Sequence, residues 1–154
     1  MQVVDSSDKL QQLDLVTKRG LCRAMKLEIL QQGDEVFREK DDADKLYIII
    51  GGTCGVHIQQ LKNLVGHSFG PEVAVLHSGH VFGENALFHK EGRESKRNAT
   101  VLVKENGTLL GVLSNDDCAH IDWHHIFDTA KRKHRIKQAQ NKSQDRISNF
   151  FIFP

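Results

Sequence analysis

No apolar run among the 154 residues is long enough to cross a bilayer. Met1 to Gly20 also lacks the apolar core of a signal peptide. The expected setting is therefore cytoplasmic, with no membrane segment in this chain. Cysteine is scarce: Cys22, Cys54 and Cys118 are odd in number and have no metal-ligand spacing. Reduced thiols are the expected state. Neither sign of charge dominates, the formal net being +1. That removes any global argument for nucleic acid or an acidic membrane surface. Internal repeats and low-complexity tracts are absent. No Ser-His-Asp, Cys-His or paired-carboxylate pattern stands in a context that supports catalysis, so no enzyme is expected. Asn98-Ala99-Thr100 and Asn106-Gly107-Thr108 fit the glycosylation pattern, but without a secretory signal both read as coincidence.

Strand signals are present instead, in a length that suits one domain. Lys26-Leu27-Glu28-Ile29-Leu30 alternates ahead of the turn-like Gln31-Gln32-Gly33-Asp34. Val36 and Phe37 open a second strand. Leu46 to Ile50 is a continuous apolar run of buried-strand length. Gly51-Gly52 marks a turn or a close backbone approach. Gly55 to Ile58 reads as another strand, and Asn63 to Pro71 as a loop. Ala99 to Lys104 and Thr108 to Leu113 flank Glu105-Asn106-Gly107. Asn-Gly between apolar runs predicts a hairpin. The expected class is mainly β with flanking helices, built as an antiparallel jelly-roll barrel.

The helices lie at the two ends. Ser6-Ser7-Asp8 predicts a cap for a helix toward Lys18, with Leu10, Leu13 and Val16 on its packing face. A second short segment is expected over Leu21 to Met25. After the last strand, Ser114 and Asp117 have capping-box spacing. Ala119, Trp123, Ile126 and Ala130 then fall on one helical face. The resulting plan is helix over 1–26, jelly roll over 27–113 and further helices over 114–147. The apolar tail 148–154, with Phe150-Phe151-Ile152-Phe153, is expected either to pack back on the domain or to begin another one, the second being favoured.

Chemistry concentrates in Val81-Phe82-Gly83-Glu84-Asn85-Ala86-Leu87-Phe88 and in Arg97-Asn98-Ala99-Thr100. Gly83 lets backbone approach a ligand closely. Glu84 can accept from ribose hydroxyls. Ala86 and Leu87 can open a short helical turn whose N–H groups suit an anion. Arg97 brings a forked cation for phosphate oxygens. Ala99 and Thr100 resume a strand. A cyclic nucleotide presents all the complementary features at once.

The ordered pair of motifs resembles the phosphate-binding cassette of the cyclic-nucleotide-binding domain family, here over 82–100. That family includes regulatory subunits of cyclic-nucleotide-dependent kinases, gated channels, exchange factors and bacterial catabolite activators. Its pattern is Phe-Gly-Glu-x-Ala-Leu, a loop, then Arg-x-Ala-Thr or Arg-x-Ala-Ser. Gln32 to Glu39, Leu46 to Gly52, Val73 to Gly79 and Leu113 to Asp117 extend the likeness along most of Leu21 to Ile126. The resemblance implies a regulatory module that senses cAMP or cGMP and needs no cofactor. By the same resemblance, Phe82, Gly83, Glu84, Asn85, Ala86, Leu87, Arg97, Asn98, Ala99 and Thr100 form the ligand site. Glu84 would hold the ribose 2′-hydroxyl, and Arg97 with backbone donors near Ala86 the cyclic phosphate. Val75, Leu76 and Val101 would touch the base. The helix after Asp128 would be a lid that relays occupancy to an effector domain or partner protein, with Ile136 as its cap.

Several departures from the pattern are visible. Phe88 to Lys96 makes the cassette loop a few residues longer, and Lys96 replaces a frequent proline. Arg93 keeps the more usual distance from Glu84 but lacks the following Ala-Thr. Lys40-Asp41 stands where the family often has Gly-Asp. Asn98 replaces the Thr common in cGMP-selective relatives, which favours cAMP. Two other readings remain open. One is a degenerate domain that binds no nucleotide and acts as a protein scaffold. The other is a metal-dependent cupin-like protein, suggested by nine histidines and by His77, His80 and Glu84. The basic run Lys131 to Lys137 reads as a solvated helix face. Too little chain follows Phe127 for a helix-turn-helix, so no nucleic-acid partner is expected.

Overall fold

Two four-stranded antiparallel sheets share one apolar interior in the computed structural model, which describes residues 7, 9–59, 69–87, 95–126 and 128. The strands are β1 (Lys26–Leu30), β2 (Glu35–Phe37), β3 (Lys45–Gly51), β4 (Cys54–His57), β5 (Glu72–Leu76), β6 (Val81–Phe82), β7 (Thr100–Val103) and β8 (Thr108–Ser114). One sheet runs β1-β8-β3-β6 and the other β2-β7-β4-β5. The two sheets form the expected antiparallel jelly roll. The continuous apolar runs became β3 and β8, which neighbour each other in the first sheet. Tyr47, Ile49, Leu110 and Val112 from that sheet meet Cys54, Val101 and Val103 from the other.

The Asn-Gly turn forms, but not as a hairpin. β7 pairs with β2 and β4, whereas β8 pairs with β1 and β3. The turn thus carries the chain from one sheet to the other. Asn106 Oδ1 accepts from the Gln32 N–H at 2.9 Å, tying it to the β1–β2 turn. Turn chemistry predicts a reversal of direction, but the partners of the flanking strands are decided by the rest of the fold.

The first helix among the described residues also starts later than expected. α1 spans Leu15–Ala24, and its cap is Asp14, whose side chain accepts from the Thr17 N–H. Leu10 is fully buried, but Val16 is 80% exposed, so the expected packing face does not continue into α1. The separate segment at Leu21 is part of this helix. Residues 9–12 form a turn instead and 13 a bend, with Leu10 and Gln11 N–H both donating to the Ser7 carbonyl.

At the far end the Ser114–Asp117 capping box is present and starts α2, Asn115–Cys118. The amphipathic helix expected to follow is broken. Ala119 is exposed, and residues 119–121 are turn and bend. The chain divides at this point into compact units Met1–Ile121 and Asp122–Pro154. In the second unit helical backbone begins at 123, with Asp122 Oδ1 accepting from the His125 N–H at 3.1 Å. Asp122 is a second cap inside the pattern, and that explains the interruption. The expected lid, Ile136 and the apolar tail lie outside the described residues. Among the described residues, no helix is long and apolar enough to cross a membrane.

Candidate ligand-binding site

The 3-10 turn Glu84–Leu87 follows β6 directly, and Arg97 lies just before β7. A cavity of about 330 Å³ opens between them. Phe82, Gly83, Glu84, Asn85, Arg97, Asn98 and Ala99 all line it. Leu76, Val81 and Val101 contribute apolar wall, together with Phe37 and Val56, which the sequence did not mark as site residues.

Arg97 is held with unusual completeness along its backbone. Its N–H donates to the Asp41 carbonyl, and its carbonyl accepts from the Lys40 N–H, both at 2.8 Å. Residues on either side join the same ladder: the Ala43 N–H donates to the Ser95 carbonyl, and the Lys96 ammonium pairs with Asp42. The β2–β3 connection therefore grips the segment that enters β7.

The side chain of Arg97 is only 2% exposed. Nη1 donates to the Gly83 carbonyl at 3.0 Å and Nη2 to the Lys45 carbonyl at 2.9 Å. The guanidinium sits 4.2 Å from the Phe37 ring centroid and 5.7 Å from that of Tyr47. Tyr47 in turn stacks on Phe82 at 5.2 Å. Among the described residues the one ion-pair partner of Arg97 is Asp44, at 3.8 Å and beyond hydrogen-bond range. Its Nε is buried and has no hydrogen-bond partner. Burial pushes the guanidinium below its ordinary pKa, while Tyr47, Asp44, Asp41 and Glu84 pull it back up. A buried cation without a close counter-charge is costly, and an anion in the cavity would relieve that cost.

Gly83 has φ +80, and an added Cβ would stand 2.9 Å from Arg97 Nη1 and 3.1 Å from the Lys45 carbonyl. The turn can hold the arginine so closely because that carbon is missing. The Ala86 N–H donates to the Gly83 carbonyl at 3.1 Å, and Ala86 is fully buried. The turn's own bonds begin there, so the donors ahead of them belong to Glu84 and Asn85.

Glu84 has a partner that no local motif announced. The Lys9 ammonium donates to Glu84 Oε1 at 3.3 Å and to the Val81 carbonyl at 3.2 Å. Lys9 also lines the cavity. The pair is separated by 75 positions, so spacing gives no signal for it.

Other expected residues lie elsewhere. Thr100 is buried, and its Oγ1 accepts from the Glu39 N–H at 2.9 Å. Leu87 is half-buried at the end of the turn and outside the cavity lining. Val75 is also outside it, on the strand face opposite Leu76. Arg93 lies outside the described residues. Among them, no cluster of three or more metal-ligating side chains occurs. His80 Nδ1 instead accepts from the His77 N–H at 2.8 Å, within its own turn.

The family model described as the cyclic nucleotide-binding domain matches residues 27–120. The chain belongs to that family. It is 30% identical over 123 residues to a cGMP-dependent protein kinase of Toxoplasma gondii, covering 77% of this chain and 11% of that protein. Its fold is similar to the regulatory domain of Toxoplasma gondii PKA solved with cAMP, at TM-score 0.66 and 25% identity. That likeness covers 92% of this chain and 49% of the other. It is also similar in fold to the Thermus thermophilus catabolite activator protein, at TM-score 0.65 and 21% identity, with 92% of this chain and 63% of that one covered. This cyclic-nucleotide-binding domain thus spans about a tenth of the curated relatives it matches. The match contains both ends of the cassette, Phe82 to Leu87 and Arg97 to Thr100.

Proposed function

We propose that this domain is a sensor that binds cAMP or cGMP between the Glu84–Leu87 turn and Arg97. The observation that carries the reading is Arg97: a buried guanidinium with an unpartnered Nε at the wall of a cavity of about 330 Å³. The cyclic phosphate supplies the missing acceptor, and the donors at the start of the turn join it. Glu84 takes the ribose 2′-hydroxyl. Leu76, Val101 and Val56 offer the base an apolar wall.

The choice of purine turns on Asn98, which lines the cavity and is exposed. Its amide both donates and accepts, so it serves either base. The absence of Thr there favours cAMP, whereas the sequence relatives are cGMP-dependent kinases. Calorimetric titration with each nucleotide, followed by competition, tests both levels. Saturable heat with either supports the sensor. No heat with both leaves the scaffold reading in its place. A clear preference for cGMP overturns the preference for cAMP alone.

Occupancy is relayed through the chain beyond Asp128. The sequence there carries little apolar face, with Ile136 as its one large apolar side chain before Ile147. Hydrogen exchange over 131–144 should slow when nucleotide saturates the cavity. Unchanged exchange despite proven binding excludes this segment as the lid.

A further inference from the structure

Lys9 reaches the cavity from the opposite end of the sequence. Its neighbours are anchored: Ser7 is 3% exposed and Leu10 fully buried, and the turn between them is closed onto the Ser7 carbonyl. The lysine stem therefore leaves a fixed point. Its ammonium bridges the Val81 carbonyl, at the entry to the cassette, and Glu84 Oε1. Among the described residues, Glu84 Oε2 accepts no hydrogen bond. A carboxylate has room for several donors, so one oxygen can be tied down while the other is offered to a ligand.

We infer that Lys9 is the positioning residue that sets Glu84 for a ribose 2′-hydroxyl, and so sets discrimination between ribo- and 2′-deoxy-nucleotides. This rests on the reading that Glu84 faces the ribose. Without Lys9 the glutamate keeps its charge but gains rotamer freedom, and ordering it on binding costs affinity. That cost falls on ligands that use the carboxylate. A ligand lacking the 2′-hydroxyl does not depend on where Oε2 points. The charge is needed at that place, so arginine should substitute for lysine better than an apolar side chain of similar length.

The test is calorimetry on the full chain with the tighter of cAMP and cGMP, and with its 2′-deoxy counterpart. Lys9→Met should weaken the ribonucleotide by roughly fivefold, the scale of a partly exposed ion pair, and leave the deoxy analogue nearly unchanged. The ratio between the two then narrows. Lys9→Arg should restore most of it. In a Glu84→Gln background, Lys9→Met should no longer change the ratio, because the shared interaction is already gone. An equal loss for both ligands would assign Lys9 a merely structural role and overturn the inference. So would an unchanged ratio, or tighter binding by Lys9→Met. Failure of the wild type to bind either nucleotide would instead overturn the sensor reading itself, and this inference with it.

Discussion

The Lys40 N–H donates to the Arg97 carbonyl at 2.8 Å, so the turn after β2 fixes the place of the candidate phosphate arginine. Lys40 does this with φ +74, the one non-glycine with positive φ among the described residues. Lys40→Gly should relieve left-handed strain, although glycine also frees the unfolded chain. The net gain is roughly 0.5–1 kcal/mol, or about 2 °C in the thermal midpoint. A lower midpoint would show that the turn is not strained.

Removing the buried cation should separate the two arginines. Arg97→Ala leaves a bound phosphate without its main partner, at a cost of roughly 2–5 kcal/mol, some thirtyfold or more in affinity. Arg93→Ala should change affinity little. Titration of both variants decides the matter, and loss on Arg93→Ala alone would reassign the role.

Two glycines with similar φ should behave differently. At Gly83, φ +80, a new Cβ would press on Arg97 Nη1, so Gly83→Ala should lose at least about tenfold in nucleotide affinity as the arginine shifts. At Gly52, φ +90, it would meet the Thr108 backbone Cα at 2.9 Å, outside the cavity lining. Gly52→Ala should cost stability, roughly 1–3 kcal/mol, and leave affinity intact in the folded fraction. Denaturant midpoints beside titrations distinguish the two effects. Equal affinity losses in both variants would show that neither reports on the arginine.

The thiols should differ in reactivity and in their response to alkali. Burial pushes Cys54 up to about 11, and burial with the Asp117 charge pushes Cys118 to about 12. Cys22 is half-buried. A maleimide reagent at neutral pH should label Cys22 first, with the other two following only on unfolding. Both raised values favour the folded state while the thiols stay neutral. That contribution is complete below the ordinary thiol value near 9 and fades as pH climbs toward 11 and 12. Fast labelling of Cys54 in the native state would contradict its burial.

Local chemistry was legible where the cause is local. Leu46 to Ile50 is apolar at every position because β3 is buried, and Ser114 with Asp117 closes its own cap three residues apart. Phe82-Gly83-Glu84 and Arg97-Asn98-Ala99 stand out locally as two ordered motifs, and the structure brings all six residues to the wall of one cavity. Where two local rules competed, the sequence was ambiguous. Asp14 and Asp122 both cap helices that periodicity had placed elsewhere, since a cap needs only one oxygen and a free N–H.

What only the tertiary structure decided is which distant groups meet. Asn106-Gly107 turns the chain, but β2 and β4 claim β7, while β1 and β3 claim β8. Phe37 under the guanidinium, Lys45 offering its carbonyl and Lys9 on Glu84 carry no spacing that a sequence reader could use. Caps and periodicity are set within a turn or two of chain, because their bonds reach no further. The cavity is set by two sheets closing on each other, and that depends on every strand at once.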